Sequence, residues 1–158
     1  PQELDGTWDY GVIQVELLRP GIDNSPVGLY GLGDESTFNG TMTWVLESTA
    51  IIDDVVSGTF EYNFDFNATI WFAGGNWTAK NDTLTFNYLN RVVTTTTPLN
   101  PWAERMNLPE AGGTEIWSYK VEDNGASLKI YKEWVGTFEE GGELLEGIYS
   151  LYGYLYKR

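Results

Sequence analysis

Apolar and polar residues alternate with a period of two along almost the whole chain, the mark of strands with one buried and one wetted face. The clearest run is Phe60-Glu61-Tyr62-Asn63-Phe64-Asp65-Phe66, in which Phe60, Tyr62, Phe64 and Phe66 share one face and Glu61, Asn63 and Asp65 the other. Leu84, Phe86 and Tyr88 repeat the pattern within 83–88. The same rhythm predicts further strands over 7–18, 41–47, 51–56, 69–72, 114–122, 127–135 and 147–156. About nine strands at this spacing predict an all-β domain. The expected arrangement is an antiparallel up-and-down β-barrel of about eight to nine strands, with a sandwich as the alternative.

Turn chemistry supports antiparallel neighbours. Asp123-Asn124-Gly125 supplies the positive φ of a tight hairpin, Lys80-Asn81-Asp82 separates Trp77 from the Leu84 strand, and Glu139-Glu140-Gly141-Gly142 precedes the last strand. Two stretches break the rhythm. Residues 19–40 are rich in Gly, Pro, Asn and Ser and read as a loose connection between the first two strands. Residues 98–113 follow the β-branched run 92–97, and Asn100 with Pro101 would cap a short helix carrying Trp102. A connection of that length is a candidate lid over one barrel mouth, or a plain surface excursion.

Composition narrows the function classes. The 158 residues fit one domain, 1–158, and 7 Trp with 10 Tyr give 15% aromatic content. The net charge of −14, with nine scattered Lys and Arg, argues against nucleic acid and anionic membrane as partners, and no apolar stretch is long enough for a membrane span. The absence of His and Cys removes Ser-His-Asp and Cys-His catalysis, disulfides, and histidine or thiolate metal sites. No metal and no cofactor is expected, and the carboxylate pairs 34–35, 53–54 and 139–140 match no calcium-loop spacing. The opening Pro1-Gln2-Glu3-Leu4-Asp5 has no basic start and no apolar run, and reads as a mature start or as a chain without a signal. Asn-x-Thr occurs at Asn39, Asn67, Asn76 and Asn81, four acceptor sequences for N-glycosylation that point to a secreted or cell-surface protein.

The opening Gly6-Thr7-Trp8 resembles the Gly-x-Trp start of lipocalin-like (calycin-type) β-barrels. That resemblance implies that Trp8 closes the barrel floor beneath a basic side chain late in the chain, here Arg158 or Lys157. Two departures stand out: the long C-terminal helix of many lipocalins is not evident, and the disulfides of secreted members are missing.

A closed barrel of this size can enclose one small ligand. The lining candidates are Trp44, Phe60, Tyr62, Phe64, Phe66, Phe86, Tyr88 and Trp134, with Trp102 on the lid; the same stripe also reads as simple core packing. The leading expectation is a secreted, non-enzymatic binding protein for a small apolar or aromatic ligand. Alternatives are a glycosylated filament subunit that self-associates by exchanging its first strand, a lipocalin-like barrel enzyme (cyclase or isomerase) using a desolvated carboxylate, and surface carbohydrate binding.

Overall fold

A computed structural model describes residues 4–18, 26–31, 40–66, 69–95 and 109–158. They form nine strands: β1 Gly6–Leu18, β2 Pro26–Gly31, β3 Gly40–Ile52, β4 Val55–Phe66, β5 Thr69–Lys80, β6 Thr83–Thr95, β7 Thr114–Glu122, β8 Ser127–Glu140 and β9 Glu143–Lys157. All ladders are antiparallel, running β1-β3-β4-β5-β6-β7-β8-β9, and β9 returns to β1 from Trp8↔Lys157 to Leu18↔Ile148. The result is a closed eight-stranded up-and-down barrel, with β2 added to the far end of β1. No α-helix occurs among the described residues; one 3₁₀ turn at Asp123–Gly125 joins β7 to β8.

Several boundaries differ from the sequence reading, among them the strand read over 69–72, which runs on to Lys80. The predicted strand 51–56 is instead a hairpin, because Asp53 and Asp54 both adopt positive φ (51° and 64°) and turn β3 into β4. Ile51 and Ile52, which suggested strand interior, are exposed on that turn. The loose 19–40 connection contains β2, whose Gly- and Pro-rich run carries no alternation and is held by pairing with β1. The strand read over 83–88 runs on through the following β-branched residues, so that β6 reaches Thr95.

The inward positions carry the aromatics, and Trp8, Trp44, Trp71, Trp77, Trp117, Tyr62, Tyr88, Phe64 and Phe86 are fully buried. Glycines let neighbouring backbones approach closely where strands crowd. A Cβ on Gly58 would lie 2.0 Å from the Glu47 carbonyl oxygen, and one on Gly75 equally close to that of Asn87. Both glycines sit at register shifts, between Ser48 and Ala50 for Gly58's partner strand and between Gly74 and Gly75 themselves. In β6 the second shift leaves Leu89 as the extra, exposed residue and sets Arg91 opposite the buried Ala73.

Of the two basic candidates beside the Gly6-Thr7-Trp8 opening, Lys157 lies against Trp8. Trp8 is buried, its indole N–H donates to the Leu4 carbonyl (2.8 Å), and the basic group over its ring is Lys157, whose Nζ lies 5.5 Å from the ring centre. Gly6 adopts φ 135°, and a Cβ there would meet the Lys157 stem at 2.7 Å, so the glycine is the space through which the lysine passes. Arg158 turns outward and donates to both carboxylate oxygens of Asp9 at 3.0 and 2.8 Å. It therefore clasps β1 to the end of β9 rather than covering Trp8.

Candidate functional site

Where β7 and β8 separate, the barrel wall opens. Their ladder ends at Ser118↔Tyr131, yet β8 continues beside β9 as far as Glu140. The opening is a cleft of about 420 Å3 lined by Pro109, Glu110, Gly113, Thr114, Glu115, Ile116, Lys132, Glu133 and Trp134. Gly112 and Gly113 fix its upper edge by exchanging backbone hydrogen bonds with Tyr88 (2.7 and 2.9 Å). Of the proposed lid, 98–108 lie outside the described residues, and 109–113 form this edge.

The cleft is backed by a buried ion pair. Glu115 and Lys132 keep 2% and 6% of their side-chain surface exposed, and Lys132 Nζ donates to Glu115 Oε2 at 2.6 Å. Glu115 Oε1 accepts from the Tyr88 hydroxyl and from the Trp117 indole N–H, each at 2.8 Å. Lys132 Nζ also lies 4.8 Å from the Trp117 ring and 5.1 Å from that of Trp134. Isolated charges at such depth would be costly, and three donors on one carboxylate with two π faces around the ammonium make burial tolerable. Burial, reinforced by the Glu115 charge, pushes the Tyr88 phenol far above its usual range, and burial raises Tyr62 in the same way. Both tyrosines therefore act as neutral donors at ordinary pH.

Most of the aromatic lining set is brought together as packed rings. Phe60 stacks on Phe86 at 4.4 Å, Trp44 meets Phe86 edge-on at 5.0 Å and Tyr62 at 5.6 Å, and Tyr62 meets Trp71 at 4.7 Å. Phe64 is buried in the same cluster. Two indole N–H groups in this core, Trp44 and Trp71, have no acceptor in hydrogen-bond geometry among the described residues. The Trp44 indole is still close enough to the Tyr62 hydroxyl to temper its rise. Trp134 stands apart: it lines the cleft and lies parallel to Tyr149 at 5.6 Å. Trp102 and the side chain of Phe66 lie outside the described residues.

Asn76, in the middle of β5, and Asn81, in the β5–β6 turn with φ 54°, are exposed; Asn39 and Asn67 lie outside the described residues. No group of three or more potential metal ligands occurs among the described residues.

Sequence reasoning missed Glu115 and Lys132, although strand parity carried the signal. Leu128, Ile130 and Trp134 share the inward face of β8, and Lys132 falls between them with the same parity. Trp117 likewise carries Glu115 inside on β7, leaving Ile116 exposed. Fold and site together define a closed antiparallel barrel with a charged, aromatic-walled side cleft, an architecture compatible with the lipocalin-like class. Comparison of the chain with protein-family models, with characterised proteins and with solved structures finds no match.

Proposed function

We propose that the chain is a lipocalin-like (calycin-type) binding protein that takes a small ligand with an apolar or aromatic body into the cleft between β7 and β8. The observation that carries this reading is the cleft itself: its volume lies within the usual range of small-molecule sites, roughly 300–1,000 Å3. It joins an indole wall, Trp134, to a few fixed polar groups at its base. The barrel centre is filled by its own rings, so the cleft needs less rearrangement than the axis would. Glu115 is tied to three donors, an arrangement suited to anchoring Lys132 and orienting a ligand rather than to shuttling protons. This favours a binder over a barrel enzyme. Exposed Asn76 and Asn81 support a secreted or surface-displayed glycoprotein, which peptide mapping of material from the natural source would test by glycan mass at those residues. Strand-exchange assembly has less support, because β1 pairs with β9 from Trp8 to Leu18 and with β3 at its start.

The neutral fluorescent probe N-phenyl-1-naphthylamine tests the cleft. Its emission is expected to rise on binding to the full chain. Trp134→Ala should weaken that binding about tenfold, in keeping with the loss of a buried aromatic anchor. Ile52→Ser, on the Asp53–Asp54 turn, should leave it unchanged. Binding that ignores Trp134→Ala, or no binding at all, would overturn the proposal.

A further inference from the structure

We infer that the ligand of this cleft is an organic cation, an amine carried on an apolar or aromatic body. The inference rests on the cleft being the binding site. Lys132 already displays how this wall of the barrel receives an ammonium group: between the Trp117 and Trp134 rings, with Glu115 Oε2 at 2.6 Å. Two indole rings and a carboxylate around an alkylammonium are the chemistry of an aromatic cation cage.

Glu115 balances the Lys132 charge, and the charged groups then left on the cleft walls are Glu110 and Glu133, both acidic. Arg91 is the nearby basic residue to weigh against them. Its Nη1 donates to the Pro109 carbonyl at 3.2 Å and lies 3.8 Å from Glu110, whose side chain is 92% exposed. At that exposure solvent screens Glu110 toward Arg91 and toward a ligand alike, so Glu110 contributes weakly to either. Glu133 accepts a hydrogen bond from the Tyr131 hydroxyl at 2.6 Å, which holds its carboxylate without neutralising it.

A cationic ligand would gain from these two carboxylates and from the Trp134 ring, whereas a carboxylate ligand would be repelled and a neutral one would gain the apolar contact alone. The net charge of −14 acts in the same direction at long range, raising the local concentration of cations.

Three probes with the same phenyl body separate the terms: 2-phenylethylammonium, 2-phenylethanol and phenylacetate. Each is titrated into the full chain at low salt and followed by NMR chemical shifts. The ammonium is expected to bind about tenfold more tightly than the alcohol, with phenylacetate weakest. The double variant Glu110→Gln/Glu133→Gln should shrink the ammonium preference severalfold. Trp134→Ala should weaken both, the ammonium more than the alcohol, since it removes the apolar contact from both and the π face from the cation. If the alcohol or the carboxylate binds as tightly as the ammonium while Trp134→Ala still weakens it, the cation inference is overturned and the cleft stands. If none binds, or binding is indifferent to Trp134→Ala, both the cleft and the inference fall.

Discussion

At the scale of single residues, the Glu115–Lys132 pair is the point of highest consequence. Breaking a buried pair by deleting one partner leaves the other charge stranded, so Glu115→Ala or Lys132→Ala should cost about 3–5 kcal/mol in urea unfolding. Replacing both, as Glu115→Leu/Lys132→Met, should cost less than the two single losses added together; full additivity would argue against the coupling. The buried tyrosines add a pH dependence. Tyr62 and Tyr88 are held neutral by burial and by the Glu115 charge, whereas an unfolded tyrosine ionises near pH 10. Because their folded pKa is raised, their contribution to stability is complete below about pH 10 and is lost as the pH rises above it. The urea midpoint should therefore fall progressively as the pH rises above about 10. Phenolate absorbance from Tyr62 and Tyr88 should appear together with unfolding rather than before it. These residues also mark how far a one-dimensional reading reaches. Tyr88 and Trp134 were visible as inward aromatics by parity. Glu115 and Lys132 had the same parity but the wrong polarity for a core, and a sequence does not say which buried charge has found its partner.

At the scale of elements, the register shifts decide which side chains meet. Gly75 lets the Asn87 carbonyl approach to where a Cβ would stand, and the extra residue Leu89 then turns Arg91 toward Trp71, 6.0 Å from its ring. Gly75→Ala has backbone against it and no flexible side chain to yield. It should cost about 3 kcal/mol or more, the upper end of what overpacking costs. Gly125→Ala, on a turn with open space around it, should cost about 1–2 kcal/mol for its left-handed conformation alone. Equal losses at the two positions in urea unfolding would contradict the close approach seen at Gly75. Hairpin turns were legible where Asn-Gly or Gly-Gly announced them. The Asp53–Asp54 turn was not, because two consecutive positive-φ aspartates carry a far weaker signal than an Asn-Gly pair. β2 was not legible either, since its strand character comes from a partner rather than from its own residues.

At the scale of the whole molecule, closure of β9 on β1 removes the open edges of the eight-stranded sheet and lets one aromatic core hold all eight strands. The excess of 14 negative charges works against that compactness by self-repulsion. Raising NaCl from near zero to about 0.3 M should therefore raise the urea midpoint, since screening relieves the repulsion. A midpoint that falls instead would mean that local ion pairs outweigh the net charge.

The sequence by itself determined the β class, the inward stripe of aromatics, the exclusion of His- and Cys-based chemistry, and a Gly-x-Trp opening waiting for a basic partner. These are properties of composition and of a period of two, which a strand imposes locally. Tertiary structure alone decided that Lys157 rather than Arg158 covers Trp8, that β7 and β8 part to leave a cleft, and that Glu115 meets Lys132 inside it. The first depends on register between strands at opposite ends of the chain, and the other two on where the β7–β8 ladder ends and which residues it leaves facing each other. A slip of one residue in register reverses every side chain, and only the assembled barrel fixes it.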